Sequence, residues 1–208
     1  MSVVLAASML AASGAAQAAS EYSLISAGSI SDLPAKVVSE LELTSGVVTS
    51  EEITRGQFAK LLLNASSYKG EAAVSTTYAM FTDVPSTHTY FSAICTAANE
   101  GWMTAYLDGT FRPDQAITLR EALNGLVALL GYQSSDFTGG QTTRTAVYSS
   151  SGLLDDVTKG LDGTLSSSDC ITLLYNLMKA DTSSGQTYGS LFNCQLDSDG
   201  EIDYVALL

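Results

Sequence analysis

Basic side chains are scarce in this chain. Nine lysines and arginines stand against 22 aspartates and glutamates, for a formal net charge of −13. Such a surface repels a phosphate backbone, which argues against nucleic-acid binding. Charge of either sign is sparse, at 15% of residues against a usual share of about 25%. Ser, Thr, Gly, Asn and Gln must therefore carry most of the polar surface, as is common on secreted proteins. Only three cysteines occur, so they cannot all pair with one another. No CxxC or Cys/His cluster offers the spacing of a structural zinc site. Cys95 and Cys170 lie among apolar helix positions, where small buried hydrophobes are expected, and Cys194 is left free. An exported chain with no disulfide framework fits an anaerobic surface better than an oxidising one. The one histidine, His88, has no partner motif around it and reads as a loop or cap residue. No glycine-rich phosphate loop, serine elbow, HExxH or marked pair of carboxylates is present. The chain is therefore read as a non-enzyme with no cofactor and no metal.

What is present is a long apolar inventory. Hydrophobic residues make up 46% of the 208 positions, enough to bury a core. Residues 1–19 read MSVVLAASMLAASGAAQAA, an apolar stretch of small residues that ends on Ala16-Gln17-Ala18. This has the form of the apolar region and cleavage site of a secretory signal peptide. No Lys or Arg occurs before Lys36, so the basic start is missing. The run is shorter than the ~20 predominantly apolar residues of a membrane span.

The chain then repeats itself. Ile53-Thr54-Arg55-Gly56-Gln57, Ile117-Thr118-Leu119-Arg120-Glu121 and Leu165-Ser166-Ser167-Ser168-Asp169 each lead into a leucine-rich segment with helical spacing. Thr54 with Gln57 and Thr118 with Glu121 fit the capping box, and Ser166 with Asp169 is a weaker version. A further helix is expected before each: from a Ser31-Asp32 cap to about Leu43, from Thr87 to Asn99, and from Thr142 to Ser150. Gly46, Gly101 and Gly152 follow these three, where positive φ is cheap. The intervening loops are 47–52, 103–116 and 153–164, and linkers fall at 66–78 and 134–141. Asp108-Gly109 and Pro113 punctuate the middle loop. The expected organisation is a signal-like segment (1–19), units at 20–66, 78–133 and 142–180, and a linker or following domain at 181–208. In that last stretch 201–208 alternates enough to suggest a strand. Its abrupt apolar end suggests that the chain is the front of a longer protein. A period of this kind points to a repeat architecture in which each unit buries its face on its neighbours.

One ordered set of residues is more specific. Phe81-x-Asp83-Val84, Ala93-Ile94, Gly101, Asp108-Gly109-Thr110-Phe111-Arg112-Pro113, Ile117-Thr118 and Glu121-Ala122 together resemble the S-layer homology domain. The resemblance extends unevenly over about residues 24–179. It implies an all-α fold of three helix–loop–helix repeats packed as a pseudo-threefold bundle, the third repeat degenerate. It implies grooves between repeats that bind secondary cell-wall polysaccharide, often pyruvylated, and so anchor a secreted protein to the bacterial cell wall. The family hallmark is Ile-Thr-Arg-Ala-Glu at the start of the second helix. Its arginine meets the ligand carboxylate, a task suited to a planar guanidinium, and the helix start offers free amides to the same anion.

Carried onto this chain, the hallmark implies polysaccharide contacts by Thr54, Arg55 and Gln57 in the first repeat and by Thr118, Arg120 and Glu121 in the second. Tyr90 is the candidate stacking ring, and Asp108 a turn residue that also offers a hydrogen bond to sugar. Only Arg55 stands at the hallmark arginine position; Leu119 and Ser167 replace it elsewhere, and Arg120 follows one place later. A cation in a first helical turn opposes the macrodipole, which favours a functional reason for Arg55 over a plain surface arginine. Arg112 is expected to brace its loop, Asp83 to cap a helix, and Trp102 to be core. Two other readings stay open. The degenerate repeats could be a scaffold or self-association surface without sugar binding. Alternatively Asp197-Ser198-Asp199-Gly200-Glu201 could belong to a calcium-assisted interaction module, although it lacks the third Asp or Asn before the glycine and the distal glutamate.

Overall fold

Capping chemistry sets where the long helices begin. In the computed structural model, which describes residues 33–48, 50–69 and 79–208, the capped helices are α2 (Arg55–Asn64), α4 (Leu119–Leu129) and α6 (Ser167–Lys179). Thr54, Thr118 and Ser166 each accept the backbone N–H three residues on, and Gln57, Glu121 and Asp169 return the bond to the cap amide. Before them stand α1 (Leu33–Glu40), α3 (Phe91–Asn99) and α5 (Gln141–Ser150). The short α7 (Tyr204–Leu207) comes last. The signal-like segment, the Ser31-Asp32 cap and most of the first linker lie outside the described residues. Among the described residues the fold is all-α, with isolated β-bridges but no strand.

Gly101 and Gly152 end α3 and α5, and Gly46 lies in the turn that follows α1. Gly46, Gly101 and Gly152 share a φ of +73°, a conformation that costs glycine nothing and other residues strain. After α3, Trp102 N–H reaches back to Ala97 O and Gly101 N–H to Ala98 O. This is the Schellman pattern, which sets the next residue against the helix, and it buries Trp102 at 7% exposure. After α1 the same pattern forms through Glu42 at φ +51°, with Leu43 N–H bonded to Val38 O. That is why α1 stops at Glu40, short of the expected Leu43.

The helices pack in pairs drawn from different units. α2 packs on α3, α4 on α5, and α6 on α1, while α2 also meets α4. At the centre, Ile53 N–H donates to Leu165 O at 2.9 Å, Ile117 N–H to Ile53 O at 2.9 Å, and Leu165 N–H to Ile117 O at 3.2 Å. These are the three positions that open the three repeats of sequence. The next amides follow suit: Arg55 and Gly56 donate to Gln115 O and Pro113 O, and Leu119 and Arg120 to Gly163 O and Leu161 O. Each of these helix starts thus takes its missing acceptors from the following loop. Gly56 permits this closeness, since a Cβ there would lie 3.1 Å from Pro113 O. Ile53, Phe58, Phe111, Ile117, Leu126, Tyr148 and Leu173 are fully buried in one continuous core.

Three local expectations are corrected. The helix expected from Thr87 begins at Phe91, because His88 Nδ1 accepts the Tyr90 amide and holds the preceding residues in turns. The linker at 134–141 contains a 3-10 turn, Ser134–Phe137, whose Phe137 is buried. The strand expected at 201–208 is instead a single Leu196–Ile202 bridge and then α7, because Asp203 accepts the Val205 and Ala206 amides and starts a helix. Residues 181–208 also join the core. Tyr188, Cys194 and Ile202 are buried, and the Tyr188 hydroxyl donates to Ala65 O at 2.7 Å. Cys95, Cys170 and Cys194 are all buried free thiols.

Ile117 sits at the centre of the hydrogen-bonded cycle and is fully buried. Ile117→Ala is expected to lower unfolding free energy by about 2–5 kcal/mol, read as a reduced urea midpoint with no loss of helical circular dichroism below the transition.

Candidate functional site

Arg55 is the first residue of α2, and that position aims it across the junction into the middle unit, where it is 2% exposed. Nε donates to Phe111 O at 2.8 Å and Nη2 to Thr104 O at 2.8 Å. Nη1 is ion-paired with Glu121 Oε1. The guanidinium also lies 4.6 Å from the Phe111 ring centroid and 5.0 Å from that of Tyr106. Both readings considered for Arg55, a surface cation and a ligand contact, assumed a free side chain; this one is enclosed and engaged at each nitrogen. The ion pair and carbonyl acceptors offset the unfavourable macrodipole at its helix start.

Glu121 serves two structures at once. Oε2 accepts the Thr118 N–H at 3.1 Å and its hydroxyl at 3.0 Å, while Oε1 faces Arg55. Gln57 is similarly occupied: Oε1 accepts the Thr54 N–H at 2.7 Å and Nε2 donates to Val48 O at 2.8 Å. Thr54 and Thr118 are caps. Arg120 lies outside, with Nη2 2.9 Å from Asp162 Oδ1. Tyr90 stands between units and its hydroxyl accepts the Val48 amide at 3.4 Å. The expected free amides at the starts of α2 and α4 are taken by loop carbonyls, as described above.

The middle loop is braced by carboxylates. Asp83 does not cap a helix; it accepts the Phe111 and Arg112 amides at 2.9 and 2.7 Å. Asp108 accepts the Thr110 hydroxyl at 2.6 Å and amide at 3.0 Å, and pairs with Arg112. These contacts, the Thr110 hydroxyl first, hold its carboxyl down at about 2. Arg112 itself has φ +58° and stacks 3.7 Å from the Tyr106 ring centroid, so it braces the loop as expected.

A cavity of about 410 Å³ opens where α2, α4 and α5 converge. Arg55 and Glu121 reach its wall; Thr54, Gln57, Tyr90, Asp108, Thr118 and Arg120 do not. The rest of its chemistry comes from Trp102, Asn124, Phe137 and Arg144. Asn124 Oδ1 accepts both the Tyr148 hydroxyl at 2.7 Å and Arg144 Nη1 at 3.2 Å. Arg144 lies 4.2 Å from the Phe137 ring centroid. Sequence reasoning missed Asn124 and Arg144, whose one signal was a rare arginine on the first helix of the third unit. At the other end of the chain, Asp197 Oδ1 accepts the Asp199 and Glu201 amides, and Glu201 meets Lys179 and Tyr175. Those oxygens close a turn and an ion pair. Among the described residues no group of three or more His, Cys, Asp or Glu is placed to hold a metal ion. No described helix is long and apolar enough to cross a membrane.

Fold and site together define a helical module of linked helix–loop–helix units with a polar, aromatic-walled cavity on its flank. Residues 81–123 match the family model of the S-layer homology domain, and this segment belongs to that family. Two relatives are each 31% identical over 83 residues, 40% of this chain. They are a surface layer protein of Brevibacillus choshinensis and a middle cell wall protein of Brevibacillus brevis. The shared stretch spans 7% and 8% of the length of those relatives.

Two outcomes are expected. Arg55→Ala strands Glu121, 26% exposed at its side chain, and two carbonyls; the loss should be about 3 kcal/mol in denaturant titration, and Glu121→Gln should cost less. Asp108, with its folded pKa depressed, should contribute stability that is fully present above its ordinary unfolded value of about 3.9. That contribution should fade as pH falls toward about 2, read by NMR titration of the carboxyl and abolished in Asp108→Asn.

Proposed function

We propose that this chain anchors a surface protein non-covalently to the bacterial cell wall by binding wall polysaccharide. One observation carries the reading: the segment that matches the S-layer homology domain also builds one wall of the 410 Å³ cavity, through Trp102, Thr104 and Glu121. The cavity offers amide and guanidinium donors, carboxylate acceptors and an indole, the mixture that neutral and mildly acidic sugars require. The surface-layer and cell-wall relatives support a location at the cell exterior. The units around α2 and α6 lie outside the family match. We read them as diverged repeats of the same domain, on the strength of their shared caps and the cyclic hydrogen bonds.

A second reading is favoured by Arg55 itself. Its consumption within the protein suits a scaffold or self-association module that no longer binds sugar. The two separate in one assay. The anchoring reading expects the purified chain to sediment with isolated cell-wall sacculi and to stay in solution once the wall polysaccharide has been extracted from them. Sedimentation that survives extraction, or none at all, rejects it.

A further inference from the structure

Two arginines line the cavity, and they differ in what surrounds them. Arg55 has each guanidinium nitrogen engaged by Phe111 O, Thr104 O or Glu121. Arg144, half-buried on α5, has no carboxylate within 4 Å among the described residues, although Glu100 and Glu121 line the same cavity. One of its N–H groups donates to Asn124 Oδ1 at 3.2 Å, and the Tyr148 side chain lies close to the guanidinium. That amide oxygen is itself fixed by the hydroxyl of fully buried Tyr148, and the Phe137 ring supports the guanidinium plane at 4.2 Å. The head group is therefore pre-positioned, which lowers the ordering cost of binding. A guanidinium carries five N–H donors in a planar fork suited to a carboxylate. Most of that fork remains unmatched by any anion of the protein. Glu100 and Glu121 nearby would repel a densely charged polyanion, so the site suits a single anionic substituent on an otherwise neutral sugar.

We propose that Arg144, rather than Arg55, fixes a carboxylate-bearing sugar in this cavity and so determines which wall polysaccharide the chain accepts. The proposal rests on the polysaccharide-binding reading. The test is calorimetric titration of the whole chain with wall polysaccharide released from the source organism. Three preparations are compared: untreated, with carboxylates amidated by carbodiimide, and with phosphate removed by hydrofluoric acid. Arg144→Gln is expected to lower affinity for the untreated polymer at least about tenfold, the scale of one charged hydrogen-bonded contact, with a melting temperature close to the wild type. Arg144→Lys, which keeps the charge and loses the fork, should fall between. Amidation should lower wild-type affinity by a similar factor and leave the glutamine variant unchanged. Phosphate removal should have no effect. If Arg144→Gln binds the untreated polymer as tightly as the wild type, the proposal is overturned while polysaccharide binding stands. Full wild-type affinity for amidated polymer, or a loss confined to phosphate removal, overturns the carboxylate assignment even if the glutamine variant melts early. If the wild type binds none of the three, both readings fall.

Discussion

Three backbone amides set the geometry on which everything else depends. Ile53, Ile117 and Leu165 are far apart in sequence, yet each donates to the carbonyl of another in a closed cycle. A buried amide without an acceptor is costly, so no one unit can be withdrawn without orphaning groups on its neighbours. The cycle also fixes the direction of the capped helices. Once Ile53 and Ile117 are pinned, α2 and α4 must begin against the next loop, and their first amides find acceptors there rather than in solvent. The cavity is lined by residues of α4 and α5 and of the segments that precede them.

The side chains at corresponding positions of the three junctions differ. At the first junction Arg55 reaches the middle unit and meets Glu121. At the corresponding positions of the second, Leu119 is buried, and the acid Asp169 lies 3.8 Å from Lys159, a cation supplied by the loop. At the third, both charges are gone: Ser167 donates to Ser50 O, and the Ser50 hydroxyl donates to Gln57. Removing the arginine alone would have left a partly buried carboxylate without its partner, a costly state. A neutral acid position opposite Ser167 avoids that cost. The surviving Arg55–Glu121 pair is on this account a strut of the junction, whereas Arg144 is the cavity cation left for other work.

What could be read from the sequence was governed by how local the deciding chemistry is. The three capped helices were legible because a hydroxyl, its partner three residues on and the leucine spacing all lie within one segment. The glycines closing α3 and α5 were legible for the same reason. The start of α3 was not, since it hangs on the His88 ring accepting the Tyr90 amide. Nor was α7, where Asp203 turns an alternating stretch into a helix start. The site was harder still. Arg55 has a hallmark context in its own segment, but its fate is decided by Glu121 and Phe111 in another unit. Asn124 and Arg144 belong to no shared motif and meet only because α4 packs on α5.

The central claim is that a rigid three-way junction presents one flanking cavity to the wall polymer. Trp102 is the only tryptophan in the chain and lies in that cavity wall, so its indole N–H gives an isolated NMR signal. The direct measurement is a heteronuclear NMR titration of the chain with released wall polysaccharide, followed at Trp102, Asn124 and Arg144 and at the amides of Ile53, Ile117 and Leu165. The account predicts saturable shifts for the first three while the central amides hold still. Shifts centred instead on the Arg120–Asp162 junction, with Trp102 and Arg144 unmoved, would contradict it.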